Sequence, residues 1–508
     1  IPETKVVSQS LLLSRFVELT RERADHLAII DDREAVSFAL LGRRVQRVAA
    51  ELRTRGLGGK RVALLVSQGS GWVETFLGII AADAVAVPLS HLHPEAEQAW
   101  FVEVSRASAI IVSADTAERV RGYSGALPVL RLEELRESRV EATAADTRPG
   151  DVAVILYTSG TTGKPKGALI SQGNLEATAR LLGNAWEWSA DDVLLHCLPL
   201  HHLHGLGIAL LTALLAGSTT RMLEKFAGPR MWDEMEHASV LMGVPTMHKK
   251  LLDAFDAADS STQARWARHA GALRLVTSGS AALPSSVGER FRQLTGRYPL
   301  ERFGMTEIGV GATNPFDGER VPGSCGPPLP GMQIRIVNED GSDVSGGESG
   351  EIWIRGPSVF AGYDDNEKAT REAFADGWFR SGDTAVWLDG GYLKIMGRTS
   401  VDILKSGGYK LSALEIEEVL REHDAVADVA VVGLPDETWG EIAVAAVIAR
   451  PGRVAEIEGE QLRAWAKARI ASYKVPKRVV VLDEFPRNPV GKVIKPELAK
   501  LLAGSSRS

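Results

Sequence analysis

A loop rich in glycine, hydroxyl and lysine side chains is the most informative feature of the sequence. It occupies residues 158–167 as TSGTTGKPKG and directly follows the apolar run of residues 152–157. Glycines let backbone N–H groups approach an anion closely, and serine or threonine hydroxyls add further donors. Lys164 and Lys166 add positive charge. This combination at the end of a buried strand predicts a loop that binds a polyphosphate.

The loop differs from the Walker A loop of many nucleotide triphosphatases. That motif needs four residues between its first glycine and the Gly-Lys pair, followed by Ser or Thr. Here Thr161 and Thr162 alone separate Gly160 from Gly163, and Pro165 follows Lys164. Because proline fixes φ and lacks an N–H, a phosphate-capping helix cannot begin there in the same way. The alternative interpretation is a flexible surface loop.

The segment ERFGMTE, residues 301–307, also carries side chains suited to a nucleotide site. Thr306 offers a hydroxyl to a phosphate. Glu307 offers a hard oxygen ligand of the kind that Mg²⁺ takes together with phosphate oxygens. The guanidinium fork of Arg302 matches a carboxylate bidentately, although a surface salt bridge with Glu301 is the alternative.

Three other positions suggest chemistry only in combination. Asp383 follows an expected tight turn at residues 378–383, and a carboxylate there can accept both hydroxyls of a ribose. Arg398 lies within reach of phosphates or ribose in such a site. Lys492 ends the turn-rich segment of residues 486–492, where an ordinary surface lysine is the alternative.

A group of histidines resembles a metal site at first inspection. It comprises His196, Cys197, His201, His202 and His204. Zinc sites normally draw ligands from two separated pairs, whereas these crowd within a short stretch with no second cysteine nearby. We therefore expect these histidines to line a pocket.

Composition excludes several classes of protein. The chain has 508 residues, a net charge of −7 and 44% hydrophobic residues, which disfavours a nucleic-acid partner. No apolar run reaches the ~18 residues of a membrane span, so no membrane partner is expected. Two distant cysteines suit a reducing compartment. We expect the cytoplasm or, if a targeting peptide has been removed before Ile1, the mitochondrial matrix. Oligomeric state has no signal in the sequence.

The elements that must position these residues are predicted from hydrophobic periodicity. Short apolar strands alternate with helical patterns up to about residue 240, which indicates α/β layers. The clearest strands are residues 62–66, 84–88, 109–112 and 152–157, and residues 205–217 are expected to form a buried helix.

The pattern changes after residue 325. Residues 333–337 and 351–355 alternate polar and apolar side chains, as half-exposed antiparallel strands do. From residue 397 we predict an α+β unit with its boundary at 397–400. Its expected elements are a Gly-rich loop at 406–408, helices at 412–422 and 461–470, and strands at 426–432, 442–449 and 478–482.

Six motifs occur in an order that identifies a family by resemblance. They are TSGTTGKPKG, ERFGMTE, the Arg-Ser-Gly-Asp segment ending at Asp383, Gly397-Arg398, residues 405–409 and PRNPVGK ending at Lys492. Together they resemble the acyl-adenylate-forming superfamily of acyl-CoA synthetases, adenylation domains and luciferases. The resemblance implies a large layered α/β N-terminal domain with a small β-rich subdomain, residues 1–397. It also implies a hinge at 398–400, with Ser400 at the hinge position, and a small mobile α+β domain at 401–508.

Within the superfamily, the chain is most similar to malonyl-CoA synthetases. The cues are LPLHHLHG at residues 198–205, Gly243-Val-Pro-Thr, residues 277–282 and ERFGMTE. Most relatives have a small or apolar residue where Arg302 lies, whereas Arg302 and His204 suit a substrate with a second carboxylate. The family usually has Tyr or Phe at the position of His201, so the chain departs there.

The resemblance implies ATP-dependent ligation of malonate, and also of methylmalonate, to coenzyme A through an acyl-AMP intermediate. The implied cofactors are ATP, Mg²⁺ and coenzyme A. The alternative is a ligase for another short or medium carboxylic acid; a non-catalytic nucleotide-binding regulator is a further alternative, which the presence of Lys492 and Glu307 disfavours.

The resemblance also implies roles for individual residues. The catalytic set is Lys492, Thr306 and Glu307, with Glu307 as the metal ligand. The ATP- and AMP-binding set is Thr158, Ser159, Gly160, Thr161, Thr162, Gly163, Lys164, Lys166, Ser280, Ala281, Glu301, Phe303, Thr306, Asp383 and Arg398. The acid-binding set is His202, His204, Arg302, Gly243 and Ser278, and the thioester set is Lys405, Ser406, Gly407, Gly408 and Tyr409.

Overall fold

The chain divides into two units that we describe separately. The computed structural model describes residues 11–137, 147–158, 165–406, 409–457, 460–487 and 493–504. The first unit consists of Ile1–Leu283, Val287–Gln333 and Ile354–Phe379, and the second of Pro284–Ser286, Ile334–Trp353 and Arg380–Ser508. The boundary expected at residues 397–400 lies inside the second unit and stays a prediction about domain organisation.

The strands alternate with helices along the first unit and dominate the second. In chain order the strands are β1 (Leu27–Ile30), β2 (Ala35–Ser37), β3 (Arg61–Leu65), β4 (Val85–Pro88), β5 (Ala109–Val112), β6 (Val129–Arg131), β7 (Val152–Thr158), β8 (Lys166–Ser171), β9 (Val193–His196), β10 (Thr219–Met222), β11 (Val240–Gly243), β12 (Leu275–Ser278), β13 (Leu300–Met305), β14 (Gly309–Thr313), β15 (Gln333–Val337), β16 (Gly350–Arg355), β17 (Gly362–Tyr363), β18 (Phe374–Ala375), β19 (Trp378–Leu388), β20 (Tyr392–Arg398), β21 (Ile403–Ser406), β22 (Tyr409–Ser412), β23 (Val426–Asp436), β24 (Gly440–Ala449) and β25 (Arg478–Val481).

The helices are mostly short. They are α1 (Leu11–Glu22), α2 (Phe38–Thr54), α3 (Ser70–Ala81), α4 (Glu95–Val104), α5 (Leu132–Arg136), α6 (Gln172–Ala185), α7 (Thr212–Ala216), α8 (Gly228–Glu234), α9 (Pro245–Asp256), α10 (Ser260–Ala272), α11 (Ser285–Thr295), α12 (Glu367–Ala373), α13 (Ala413–Arg421), α14 (Glu460–Lys467) and α15 (Lys495–Gly504). A π-helix at His204–Leu211 and 3₁₀ turns at Ala117–Val120, Met235–His237, Asp389–Gly391, Val454–Glu456 and Ser472–Lys474 complete the set.

An eight-stranded sheet in the first unit sets the position of most acid-binding candidates. Its order is β14-β13-β12-β11-β9-β10-β1-β2, and the six strands from β13 to β1 are parallel. The register places Gly243 opposite Ser278, and Ser278 opposite Glu301. Because parallel strands end at the same edge of a sheet, side chains at these positions meet there.

A seven-stranded sheet in the first unit carries the predicted phosphate loop. Its order is β17-β8-β7-β4-β3-β5-β6, parallel from β7 to β6 and antiparallel at β8 and β17. The register pairs Thr158 at the end of β7 with Lys166 at the start of β8. The residues between them, 159–164, lie outside the described part of the chain.

The second unit builds its own core around a smaller sheet. The sheet has the order β22-β21-β24-β23, with β25 beside β24. Helix α13 is capped by Ser412, whose hydroxyl accepts the N–H of Glu415 at 3.1 Å, and it buries Ile416 and Leu420 in this core. Another five-stranded sheet has the order β15-β16-β19-β18, with β20 beside β19. The β-rich segment after residue 325 and the α+β segment after residue 400 were therefore predicted correctly in type.

The apolar stretch at residues 205–217 is a buried helix, as expected, but most of it has π geometry. All eight residues of His204–Leu211 are buried. A Cβ at Gly205 would collide with the carbonyl of Pro199, so the helix begins in close contact with the preceding loop. Such wide turns are rare and occur mostly at functional sites. The π-helix places His204, its first residue, at the end of the sheet.

The predicted fold class, α/β with a smaller second part, is confirmed. Within the described ranges, no helix combines the length and apolar character that crossing a membrane requires.

We expect Gly217→Ala to lower stability. Gly217 ends α7 with φ +82, a conformation that strains other residues, and its Cβ would lie 3.0 Å from side-chain atoms of Leu19 and Arg23. The free energy of unfolding in urea should fall by about 1–2 kcal/mol. Gly183→Ala in α6 is the control, since nothing lies within 4 Å of its Cβ; an equal loss in both variants would contradict the explanation.

Candidate active site

Arg302 is buried in a slot between two glycines. Arg302 is the residue of β13 that follows Glu301, which pairs with Ser278 of β12. Arg302 is 4% exposed. A Cβ at Gly279 would overlap the guanidinium, and one at Gly304 would lie 3.0 Å from Nη1 of Arg302. Only backbone without side chains at these two positions leaves room for the guanidinium.

Arg302 has a buried charge with unsatisfied donors. Within the described residues, its Nε and Nη2 are buried and have no hydrogen-bond partner. Burial lowers the pKa of Arg302 to about 10, so the guanidinium still carries its charge at neutral pH. A buried charge without a partner is strongly unfavourable, and a carboxylate is the group that its fork fits best. The alternative of a surface salt bridge with Glu301 is wrong, because both residues are buried. The carboxylate of Glu301 accepts the N–H of Gly323 at 2.8 Å.

His204 lies beside Arg302 as a neutral imidazole. Its Nδ1 is 3.0 Å from the hydroxyl of Ser280, while its Nε2 is buried and lacks a partner among the described residues. Burial, followed by the charge of Arg302, holds the pKa of His204 well below its ordinary value. Ser280 itself has φ +69, a strained conformation that is common at functional sites. The imidazole can therefore offer a hydrogen bond without adding charge.

Other histidines extend this polar group. His196, at the end of β9, is fully buried, and burial lowers its pKa to about 3. Burial likewise lowers the pKa of His202 to about 4. The ring of His201 lies 4.2 Å from that of His202 and 5.4 Å from that of His93, centroid to centroid. The lowered pKa values keep these imidazoles uncharged at neutral pH, so among the described residues of this group the positive charge belongs to Arg302.

Ser278 and Gly243 complete the group at the edge of the sheet. The hydroxyl of Ser278 is buried and has no partner among the described residues. Gly243 leaves space for the ring of His248, whose Nε2 would lie 3.2 Å from an added Cβ. Five acid-binding candidates, Gly243, Ser278, Arg302, His202 and His204, therefore lie in the first unit. The register pairs Gly243 with Ser278, and the Arg302 side chain packs against Gly279, the residue after Ser278.

Glu307 lies just beyond β13 and is also buried. The hydroxyl of Tyr363 donates to its Oε1 at 2.9 Å. Phe303 is buried, Thr306 is half-buried, and both belong to the same strand and turn as Glu307. Ala281, by contrast, is exposed.

The amino group of Lys166 lies 5.1 Å from the ring centroid of Tyr363. Tyr363 thus contacts one residue at the end of the predicted phosphate loop and the predicted metal ligand. The loop residues Ser159, Gly160, Thr161, Thr162, Gly163 and Lys164 lie outside the described residues.

The second unit holds the ribose candidates as an ion pair. Nε of Arg398 is 3.0 Å from Oδ1 of Asp383, and the two residues face each other on β20 and β19. The expected tight turn before Asp383 is wrong: residues 378–388 form one strand, β19, in which Gly382 has φ +70. Ser381 and Gly382 are typical of a tight turn, but here they lie inside a strand that is kinked at Gly382.

The thioester candidates lie on a hairpin of the second unit. Lys405 is exposed, with its amino group 3.4 Å from Glu339, and Ser406 ends β21 instead of opening a loop. Tyr409 begins β22 and stacks on Tyr473 at 4.5 Å. The exposed hinge candidate Ser400 lies between β20 and β21. Gly407, Gly408 and Lys492 fall outside the described residues.

Comparison with known protein families identifies the family of this chain. The sequence model of the AMP-binding enzyme family matches residues 16–364, more than half of the chain. The chain belongs to the AMP-binding enzyme family. The model of the AMP-binding enzyme C-terminal domain also matches, at residues 415–492. The predicted resemblance to adenylate-forming enzymes is confirmed.

Individual relatives of this family align over nearly the whole chain. The mitochondrial malonate–CoA ligase ACSF3 of Mus musculus is 40% identical, over 95% of this chain and 90% of the relative. The malonate–CoA ligase of Arabidopsis thaliana is 38% identical, over 88% and 78%. The crystal structure of ATP-bound MatB from Rhodopseudomonas palustris has a TM-score of 0.89 and 33% identity, covering 97% of this chain and 99% of MatB.

Sequence reasoning missed two residues of this site. Tyr363 reaches Glu307 across 56 positions of the chain, and no local pattern points to that contact. His196 was noticed in the histidine group but not assigned to the acid pocket. Its position as the last residue of a buried strand was the available signal.

We expect Arg302→Met to stabilise the ligand-free protein. Replacing a buried guanidinium, two of whose nitrogens have no partner among the described residues, with an apolar side chain of similar length removes a desolvation cost. The free energy of unfolding in urea should rise by about 1–4 kcal/mol. The control is Arg274→Met, because Arg274 donates twice to Asp192 at 2.6 Å and that buried carboxylate would lose its positively charged partner. The control should be destabilised by about 3–5 kcal/mol. A lower free energy of unfolding in Arg302→Met would contradict the explanation, because it would show that the charge of Arg302 is compensated in the ligand-free protein.

Proposed function

We propose that this chain ligates malonate to coenzyme A in an ATP-dependent reaction. A carboxylate oxygen of malonate attacks the α-phosphate of ATP, giving malonyl-AMP and pyrophosphate. The thiol of coenzyme A, losing its proton, then attacks the acyl carbonyl carbon, and the bond to AMP breaks. ATP, Mg²⁺ and coenzyme A are the cofactors and cosubstrate of this family. The observation that carries the choice of malonate is the buried guanidinium of Arg302, whose Nε and Nη2 have no hydrogen-bond partner among the described residues.

The charge balance of the pocket favours a dicarboxylate. After one carboxylate of malonate has been activated, the second remains ionised and must be buried nearby. Pairing with Arg302 would offset the desolvation of both charges. Neutral His204 and Ser278 would add hydrogen bonds without repelling the guanidinium. A monocarboxylate would leave the guanidinium without a partner, and the malonate–CoA ligases among the relatives support the same choice.

The phosphate and nucleotide roles are part of the proposal and come from motif matches. Residues 158–166 would hold the β- and γ-phosphates, with Thr306 as a further hydroxyl contact. Ser280, Ala281 and Phe303 would pack against adenine near Glu301. The pair of Asp383 and Arg398 would receive the ribose hydroxyls. The ion pair fixes the carboxylate of Asp383 in a defined orientation before nucleotide binds.

Mg²⁺ fits the donor set at Glu307. Within the described residues, no group of three or more His, Cys, Asp and Glu side chains is placed to hold a metal ion. An ion bound by a single protein carboxylate suits Mg²⁺, which keeps several waters and takes phosphate oxygens as its other ligands. When bound, the ion would neutralise charge on the phosphates. Glu307 would orient it from a buried position.

Two lysine segments would serve the two half-reactions in turn. Lys492 would bridge the malonate carboxylate and the α-phosphate during adenylation. Residues 405–409, from Lys405 to Tyr409, would serve the thioester step, with Ser400 absorbing the backbone change between the two states. The protein contributes mainly by positioning reactants and stabilising charge.

The substrate range and compartment also belong to the proposal. Methylmalonate is the second expected substrate, because it keeps both carboxylates. Four animal relatives are named as mitochondrial enzymes, which favours the mitochondrial matrix over the cytoplasm as the compartment of this chain.

We expect Lys492→Ala to abolish adenylation while leaving the thioester step intact when preformed malonyl-AMP is supplied. A positive charge used only in the adenylation transition state is lost, and each power of ten in kcat corresponds to about 1.4 kcal/mol. Pyrophosphate release and consumption of malonyl-AMP by coenzyme A measure the two steps. Lys500→Ala, on the exposed face of α15, is the control. Equal losses in both half-reactions would rule out separate roles for the two segments.

We expect Arg302→Leu to lower kcat/KM for malonate and methylmalonate by about two to four powers of ten, because truncating one partner of a buried ion pair costs about 3–5 kcal/mol. Butyrate makes no such pair and should react at an unchanged or higher rate. Arg302→Lys, which keeps the charge but loses the fork, should be intermediate. Equal losses on all three acids would contradict the malonate assignment.

A further inference from the structure

Tyr363 is held unusually firmly for a residue at the edge of a sheet. It pairs with Ala168 across β17 and β8, and its N–H donates to the hydroxyl of Thr370 at 2.9 Å. The next residue, Asp364, accepts two hydrogen bonds from Arg61, of 2.9 and 2.5 Å, and donates its N–H to Gly167 at 2.8 Å. The backbone on both sides of the Tyr363 ring is therefore fixed.

The same short segment contacts Glu307 twice. The N–H of Phe360 donates to the backbone carbonyl of Glu307 at 2.8 Å, and the hydroxyl of Tyr363 donates to the carboxylate at 2.9 Å. The ring of Phe360 packs edge-on against that of Tyr363, with centroids 4.9 Å apart. Residues 360–363 thus hold both the main chain and the side chain of Glu307 by hydrogen bonds.

The ring of Tyr363 has a separate contact. The ammonium of Lys166 lies 5.1 Å from its centroid, within the range of a cation–π interaction. Lys166 belongs to the predicted phosphate loop, and Glu307 is the proposed ligand of Mg²⁺. Lys166 and Glu307, which would both act on the phosphates of ATP, therefore both contact the side chain of Tyr363.

We propose that Tyr363 is a positioning residue for Mg²⁺-ATP. Its hydroxyl fixes the rotation of the Glu307 carboxylate, and its ring fixes the ammonium of Lys166, so that both are oriented before nucleotide arrives. A hydrogen bond to an ionised acceptor is stronger than one between neutral groups, which suits this task. The inference rests on the proposed function only through the roles of Glu307 and Lys166, and not on which acid is activated.

The test measures how ATP binding depends on the Mg²⁺ concentration. Titration calorimetry records the binding in the absence of any acid, so that no turnover occurs. Tyr363→Phe removes the hydroxyl and keeps the ring. The Mg²⁺ concentration that gives half-maximal ATP binding should rise about 10-fold, as is typical when the partner of a metal ligand is lost. ATP binding without Mg²⁺ should be unchanged. Tyr363→Leu, which also removes the ring, should in addition weaken Mg²⁺-free ATP binding by about two- to fivefold.

Matched controls separate positioning from general stability. Tyr123→Phe also deletes a hydroxyl, one that donates to Gln98 at 2.8 Å, and it should leave the Mg²⁺ requirement unchanged. In a Glu307→Gln background, Tyr363→Phe should cause no further shift, because the carboxylate that it orients is absent.

The outcomes distinguish this inference from the proposed function. An unchanged Mg²⁺ requirement in Tyr363→Phe, or the same shift in the Glu307→Gln background, overturns the positioning role while ATP binding by the wild type remains. A wild-type protein that binds no ATP at any Mg²⁺ concentration overturns the proposed function and this inference together.

Discussion

The cost of burying the Arg302 guanidinium is the constraint on which the rest of the acid pocket depends. The charge lies at the edge of the eight-stranded sheet, and two of its nitrogens are without partners among the described residues. A protein tolerates such a group only if the fold supplies the missing free energy elsewhere or if a ligand completes the pair. The sheet provides that support, because strand pairing holds Gly243 beside Ser278 and Arg302 beside Thr313 of β14 independently of any substrate.

The neighbouring histidines follow from the same constraint. An additional charged imidazole would repel the guanidinium, and burial prevents this by keeping His196, His202 and His204 neutral. The pocket can therefore offer several hydrogen bonds around one cation. Such an arrangement would favour an anion both by its charge and by the geometry of the donors.

Elements whose chemistry is local were predictable, and contacts across the chain were not. Strand β5 has the bounds predicted from its run of branched apolar residues, and α13 begins directly after Ser412, the serine that caps it. The tight turn expected before Asp383 failed because Gly382 can as easily kink a strand as close a turn. Tyr363 reaches the site from another part of the sequence, and only the packing of whole strands and loops brings it there. The residue type of Arg302 suggests a carboxylate partner, but only the fold shows that two of its nitrogens are unpaired among the described residues.

The two glycines beside Arg302, Gly279 and Gly304, are constrained by different neighbours. At Gly304 an added Cβ would meet the backbone carbonyl of Gly309, whatever residue stands at position 302. At Gly279 the three nearest atoms to an added Cβ all belong to Arg302 itself. A lineage that replaced Arg302 with a small residue would thus release position 279 to drift towards alanine. Once it had drifted, restoring arginine would require two substitutions together, so the loss of this specificity would behave as an evolutionary ratchet.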